Sequence, residues 1–138
     1  MIQTTIYVEP TAKGRPRVTI IGGHAHAYTP AKTRNAEAMI QAMIRNQMLN
    51  MEKTETFGPG VPLRLEATFY RDRPKHLPKR VTMPISRPDV ENYAKTLLDA
   101  LNKFVFPDDS QICTLLVRKR FVEAGGVTKI ELKLEVDY

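Results

Sequence analysis

Apolar and polar positions recur along this chain with two periods, and they divide most of it into strands and helices. TTIYVEP, residues 4 to 10, is rich in β-branched side chains and stops at a proline, which predicts a strand. KGRPR, 13 to 17, reads as a basic turn. VTIIGGHAHAYTP then predicts a hairpin or irregular loop, with Gly22 and Gly23 as its turn. The longest helical pattern covers 31 to 53. Ala38, Ala42, Ile44, Met48, Leu49 and Met51 supply its apolar stripe and Thr29-Pro30 its start. GPGVP (58 to 62) breaks that helix. LRLEATFY (63 to 70) alternates as a half-buried strand does.

Residues 71 to 88, RDRPKHLPKRVTMPISRP, hold four prolines and a dense set of cations, so they form a loop or extended crossover. A second helix is expected from Asp89 to Lys103. Val90, Ala94, Leu97, Leu98, Leu101 and Val105 fall at its spacing and face the core. QICTLLVRKRFVEA (111 to 124) predicts a strand, Gly125-Gly126 a hairpin turn, and VTKIELKLEVDY a final alternating strand. The order is strand, hairpin, helix, strand, helix, strand, strand. It predicts one small α/β domain over residues 1 to 138, a mixed sheet with two main helices packed on one face.

A length of 138 residues fits a single domain, and a hydrophobic fraction of 42% excludes a disordered tail. A net charge of +6 points to a polyanionic partner, nucleic acid ahead of a membrane surface; the bland alternative is charge that only keeps the chain dispersed. Cys113 stands alone, which excludes an intrachain disulfide and a Cys-rich metal site and fits a cytoplasmic setting. The N-terminus lacks a signal-peptide core, and no apolar run approaches the roughly 20 residues of a membrane span, so no membrane association is expected. His24 and His26 share a strand face without a third ligand nearby, which argues against a metal site there. With no Trp in the chain, a broad aromatic platform for base stacking is not indicated.

The acidic residues change the picture. On a helix from 89, the side chains of Glu91, Lys95, Asp99 and Asn102 share a face distinct from the apolar one. Each has a structural reading. Asp89 caps the helix with Asn92 as a partial capping-box partner, where the helix dipole also favours negative charge. Glu91 and Lys95 form an exposed ion pair contributing about 0.3–0.5 kcal/mol. Asp108-Asp109 after Pro107 is a turn. The chemical reading needs Asp109 to return to the helix start. Asp89, Glu91 and Asp109 would then form a carboxylate cluster that cannot stay ionised without a cation. Oxygen ligands without cysteine suit Mg²⁺, with Mn²⁺ as a substitute, and such an ion serves phosphodiester hydrolysis. Lys95, one turn from Glu91, would stabilise the transition state or orient the attacking water. Lys13, Arg15, Arg17, Lys32 and Arg34 make one basic group, and Arg71, Arg73, Lys75, Lys79, Arg80 and Arg87 another. Both would contact phosphates. On the strand after Gln111, only Arg118 and Arg120 of the RKR run point together.

These residues resemble the RusA-like Holliday junction resolvases, small phage- and prophage-associated endodeoxyribonucleases. The resemblance is carried by Arg87-Pro88-Asp89-Val90-Glu91-Asn92, Lys95, Leu98-Asp99-Ala100-Leu101-Asn102 and Asp108-Asp109-Ser110-Gln111. It extends more loosely to Lys13-Gly14-Arg15-Pro16-Arg17 and Tyr28-Thr29-Pro30. It implies that Asp89, Glu91 and Asp109 are metal ligands, with Asp108 a further candidate, and that Lys95 is the catalytic lysine. Asn92 and Asp99 take supporting roles. Lys13, Arg15, Arg17, Arg73, Lys75, Lys79, Arg80 and Arg87 are the expected DNA contacts. The family usually has aspartate where this chain has Glu91, a carboxylate one methylene longer. The implied activity is Mg²⁺-dependent, paired, symmetric cleavage of four-way junctions in DNA recombination and repair, by a homodimer. Two other readings stay open on the residues themselves: a non-catalytic branched-DNA-binding protein, and a nuclease of flaps or other branched DNA.

Overall fold

The computed structural model describes residues 1–49 and 57–138. In chain order its elements are β1 (Ile2–Ile6), β2 (Arg17–Ile21), β3 (His24–Tyr28), α1 (Ala31–Leu49), β4 (Leu63–Arg71), α2 (Val90–Leu101), a 3₁₀ turn (Asp109–Gln111), β5 (Ile112–Phe121) and β6 (Lys129–Val136). Four strands form one mixed sheet in the order β1-β6-β4-β5. β6 is antiparallel to both of its neighbours, and β4 and β5 are parallel. The two helices pack against each other and share one face of this sheet, as expected.

β4 and β6 are the two inner strands, and both alternate apolar and polar positions. Leu63, Leu65, Ala67 and Phe69 are at most 1% exposed, and all point to the helix side. Ile130, Leu132 and Leu134 of β6 and Ile2 and Ile6 of β1 continue that apolar face. α2 closes over it with Tyr93, Ala94, Leu97, Ala100 and Leu101, all buried, and Phe69 stacks on Tyr93 with ring centroids 5.4 Å apart. The opposite sheet face is polar. It holds Gln3, Thr5, Arg118 and Glu131, with Arg118 paired to Glu66 at 2.9 Å. A mixed sheet with one wet face is the pattern expected of an antiparallel-rich small sheet.

Four expectations are corrected. The first strand is Ile2–Ile6, not residues 4 to 10, because its pairing with β6 ends at Ile6–Ile130 and the Val8 N–H turns back to the Ile6 carbonyl at 3.0 Å. Gly125-Gly126 does not join a hairpin. β4 lies between β5 and β6, and the residues from 122 to 128 are long enough to step across it. Gly125, at φ 78°, supplies the reversal. The stripe of α1 is rotated: Ile40 and Ile44 are buried with Thr33, while Ala38 and Ala42 are not. Two glutamines disguise the true stripe, since Gln41 donates to the Ala100 carbonyl at 3.0 Å and Gln47 to the Thr5 carbonyl at 3.1 Å. Residues 50–53 of the expected helix, with Met51, lie outside the described residues. α2 stops at Leu101 because Lys103 takes a left-handed φ of 60°.

The β2–β3 hairpin is as expected. Gly22 and Gly23, at φ 58° and 80°, make its two-residue turn. Among the described residues no helix is long and apolar enough to cross a membrane. Because Leu97 is fully enclosed and Ile20 on the hairpin is 75% exposed, Leu97→Ala should cost about 2–5 kcal/mol. Ile20→Ala should stay within about 0.5 kcal/mol. Urea unfolding of both variants checks the pair.

Candidate nuclease site

The parallel pairing of β4 with β5 dictates where the acidic residues fall. The chain leaves β4 at Arg71 and must return to its other end, since Ile112 aligns with Leu63. α2 makes that return. Its N-terminus therefore lies where β4 and β5 finish, and its C-terminus where they start. A helix of 12 residues covers about 18 Å.

At the N-terminal end, Asp89 occupies the cap position with φ −68° and ψ 148°, yet its side chain makes no capping bond. Its carbonyl, not its carboxylate, receives the Asn92 N–H at 3.0 Å. Glu91 is exposed in the first turn and Lys95 in the next. Among the described residues neither has an ion-pair partner within 4 Å, so the expected Glu91–Lys95 pair is not formed. The cap position and its favourable dipole are thus kept, while the side-chain capping bond and the ion pair are absent among the described residues.

Asp89, Glu91, Asn92 and Lys95 line one groove of about 710 Å³ together with Lys13, Gly14, Arg15, Pro16, Arg87 and Pro88. The wall opposite α2 is the strap 13–16, and the chain fastens it at two points. The Lys13 N–H bonds the Asn92 carbonyl at 3.0 Å, and the Gly14 N–H bonds Oγ1 of buried Thr33 at 3.0 Å. A Cβ at Gly14 would lie 2.9 Å from that same oxygen and 3.0 Å from Pro30 Cγ, so only glycine fits there. Lys13 itself is spoken for. Its ammonium bonds Glu37 at 2.9 Å and Asp99 at 2.7 Å, tying α1 to α2. Burial opposes its charge, but the two carboxylates outweigh burial and raise its pKa. Arg73 is also engaged internally, donating to the carbonyls of Pro78 at 2.7 Å and Val81 at 3.2 Å. Arg15, Arg17, Lys75, Lys79, Arg80 and Arg87 are exposed. Sequence reasoning passed over Gly14 and Thr33 as parts of the site; the G-R-P-R turn beside a Thr-Pro helix start is the signal it had for them.

Asp109 is at the opposite end of α2. Its N–H bonds Oδ1 of Asn102 at 3.1 Å, which joins the D-A-L-N and D-D-S-Q motifs. Asp108 caps the 3₁₀ turn: it accepts the Ser110 N–H at 3.1 Å, and its own N–H bonds Gln111 Oε1 at 3.1 Å. Some loss of hydration, a hydrogen bond with Asp108 and the charges of Asp108 and Asp99 push the exposed Asp109 carboxyl above its ordinary pKa. The Ser110 N–H and the bond to Asp109 hold Asp108 below its own. Among the described residues no three Asp, Glu, His or Cys side chains converge to hold a metal. Within the groove, the donor set is Asp89 and Glu91. Two oxygen ligands suffice for Mg²⁺, which keeps several waters and takes its remaining ligands from a substrate phosphate. The residues present therefore fit such an ion.

The family model for endodeoxyribonuclease RusA matches residues 8–134. This chain belongs to the RusA endodeoxyribonuclease family. It is 35% identical over 136 residues to the uncharacterized protein YqaN of Bacillus subtilis (strain 168), covering 91% of this chain and 92% of that protein. It is 29% identical over 111 residues to the crossover junction endodeoxyribonuclease rusA of Lactococcus phage r1t, covering 80% and 79%.

The raised pKa of Asp109 has a sign that can be measured. A carboxyl that binds its proton more tightly when folded costs stability once it ionises. The cost is absent below its ordinary value of 3.8 and complete above the raised one. Asp109→Asn should therefore raise the urea midpoint at pH 7, and the gain should vanish near pH 3.

Proposed function

We propose that this protein is an Mg²⁺-dependent endodeoxyribonuclease that resolves four-way DNA junctions by paired, symmetric nicks. The observation that carries the reading is the groove: two carboxylates and a lysine at one helix start, without ion-pair partners among the described residues, facing a cationic strap in a chain of the RusA family. The phage relative named as a crossover junction endodeoxyribonuclease supports the junction as substrate.

In this reading Asp89 and Glu91 would hold a divalent ion, whose chemistry when bound would be activation of a water and neutralisation of phosphate charge. Glu91 carries its carboxylate one methylene further from the backbone than the aspartate usual in the family. Lys95 has no carboxylate partner among the described residues to hold it back, and its ammonium extends into the groove to stabilise charge that develops on the phosphate. Arg15, Arg17 and Arg87 receive the neighbouring phosphates, and Lys75, Lys79 and Arg80 follow the strand along the proline-rich loop. Lys13 supports them by fixing the strap. Mn²⁺ substitutes for Mg²⁺ at such an oxygen-ligand site.

Asp109 lies a helix length from this pair in its own chain, so as a third ligand it would come from a second protomer. A two-fold homodimer would supply it and would place two grooves symmetrically, as two opposed nicks require.

Cleavage of a synthetic four-way junction, with and without Mg²⁺, tests the reading. Wild type should give paired symmetric nicks only with the ion. Asp89→Asn should lose about 100-fold or more in rate while still binding the junction. Junction binding without nicks under any divalent ion would leave a binding protein instead, and nicking of flaps in preference to junctions would reassign the substrate. If Asp109 is shared between protomers, mixing Asp89→Asn with Asp109→Asn chains should restore nicking that neither shows alone. Arg15→Ala should weaken junction binding and reduce its salt slope by about 1.

A further inference from the structure

Lys119 occupies a position where a lysine needs a reason. It follows the alternation of β5 onto the helix-covered face, in register with Phe69, which is 1% exposed. Its neighbours Arg118 and Arg120 turn to the other face. A lysine stem lies well on apolar surface, but its ammonium must find partners. Here it donates to the carbonyls of Ser86 at 2.9 Å and Pro88 at 3.0 Å. From the adjacent strand, Arg71 Nη1 donates to the carbonyls of Arg87 at 3.0 Å and Ser86 at 3.4 Å. Three successive carbonyls, 86 to 88, are thus held by two cations. Among the described residues no backbone N–H outside the helices and strands bonds any of the three.

The next residue is Asp89. Its carboxylate makes no capping bond, so the helix does not aim it; the direction of the chain entering the helix does. We infer that Lys119, with Arg71 beside it, is a positioning residue for Asp89. It fixes the 86–88 backbone so that the carboxylate enters the groove next to Glu91. This rests on reading Asp89 and Glu91 as the metal-holding pair. Groups that orient a metal ligand from behind typically govern metal affinity or activity by about 10–100-fold. Because the Lys119 ammonium is committed to carbonyls, it does not count among the phosphate contacts.

Two measurements without cleavage test this. Mn²⁺ binding to the full chain, followed by electron paramagnetic resonance, should weaken about 10-fold or more in Lys119→Met, with partial recovery in Lys119→Arg. Four-way junction binding in EDTA should keep its affinity and its salt slope in both variants. Mn²⁺ affinity within about two-fold of wild type in Lys119→Met, well short of the loss expected for a group behind a ligand, overturns the inference. So does a salt slope lowered by about 1, which would make Lys119 a phosphate contact. If Lys119→Met melts below the assay temperature, Lys119→Gln carries the same comparison, and the same results support or overturn the inference. Asp89→Asn separates the levels: if it binds Mn²⁺ as wild type does, the metal-holding pair itself is wrong, and the inference falls with it.

Discussion

α2 rests on β4 and β5 through Tyr93, Leu97, Ala100 and Leu101, and every motif residue takes its place from that contact. The helix must run the length of the sheet because the strands on either side of it in sequence are parallel. Its N-terminus then lies at the ends of β4 and β5, the edge where ligands gather in sheets of this kind. The same constraint separates Asp109 from Asp89. It also sends β5 back to the helix start, and the residue it delivers there is Lys119.

Charge on this helix is arranged as a stripe rather than a cluster. Glu91, Lys95, Asp99 and Asn102 follow one another along it, and Lys13 bridges Asp99 to Glu37 on α1. One ammonium thus ties both helices and the strap that walls the groove. The Lys13 side chain is only 22% exposed, so its bonds escape much of the screening that weakens surface pairs. The cations of this basic chain therefore divide by task. Lys13, Arg71, Arg73 and Lys119 satisfy carboxylates and carbonyls inside the molecule. Arg15, Arg17, Arg87 and the 75–80 group remain open to a partner.

The packing of the fold and the lining of the groove draw on different residues. Tyr93, Ala94 and Leu97 alternate along α2 with Glu91, Asn92 and Lys95, so one helix packs with one face and lines the groove with the other. Asp109, held above its ordinary pKa beside Asp108 and Asp99, is a carboxylate that costs the folded chain something.

Local pattern was enough for much of this. The spacing of Val90, Ala94, Leu97 and Leu101 announced α2, the alternation of residues 63 to 70 announced the strand β4, and Gly22-Gly23 announced the hairpin, because each depends on neighbours within a few residues. The motif at 87 to 111 likewise marked the family and the acidic residues. Where the local pattern misled, a distant partner was responsible. Gln41 and Gln47 hid the buried stripe of α1 by bonding carbonyls of α2 and β1. β5 and β6 looked like a hairpin because nothing local reveals that β4 inserts between them. Nor does the order of cations along the chain reveal which ones the fold keeps for itself. Sequence by itself determined the elements, the groups available and the family; tertiary structure decided which groups meet, because strand order and direction are settled by burial of apolar faces far apart in the chain.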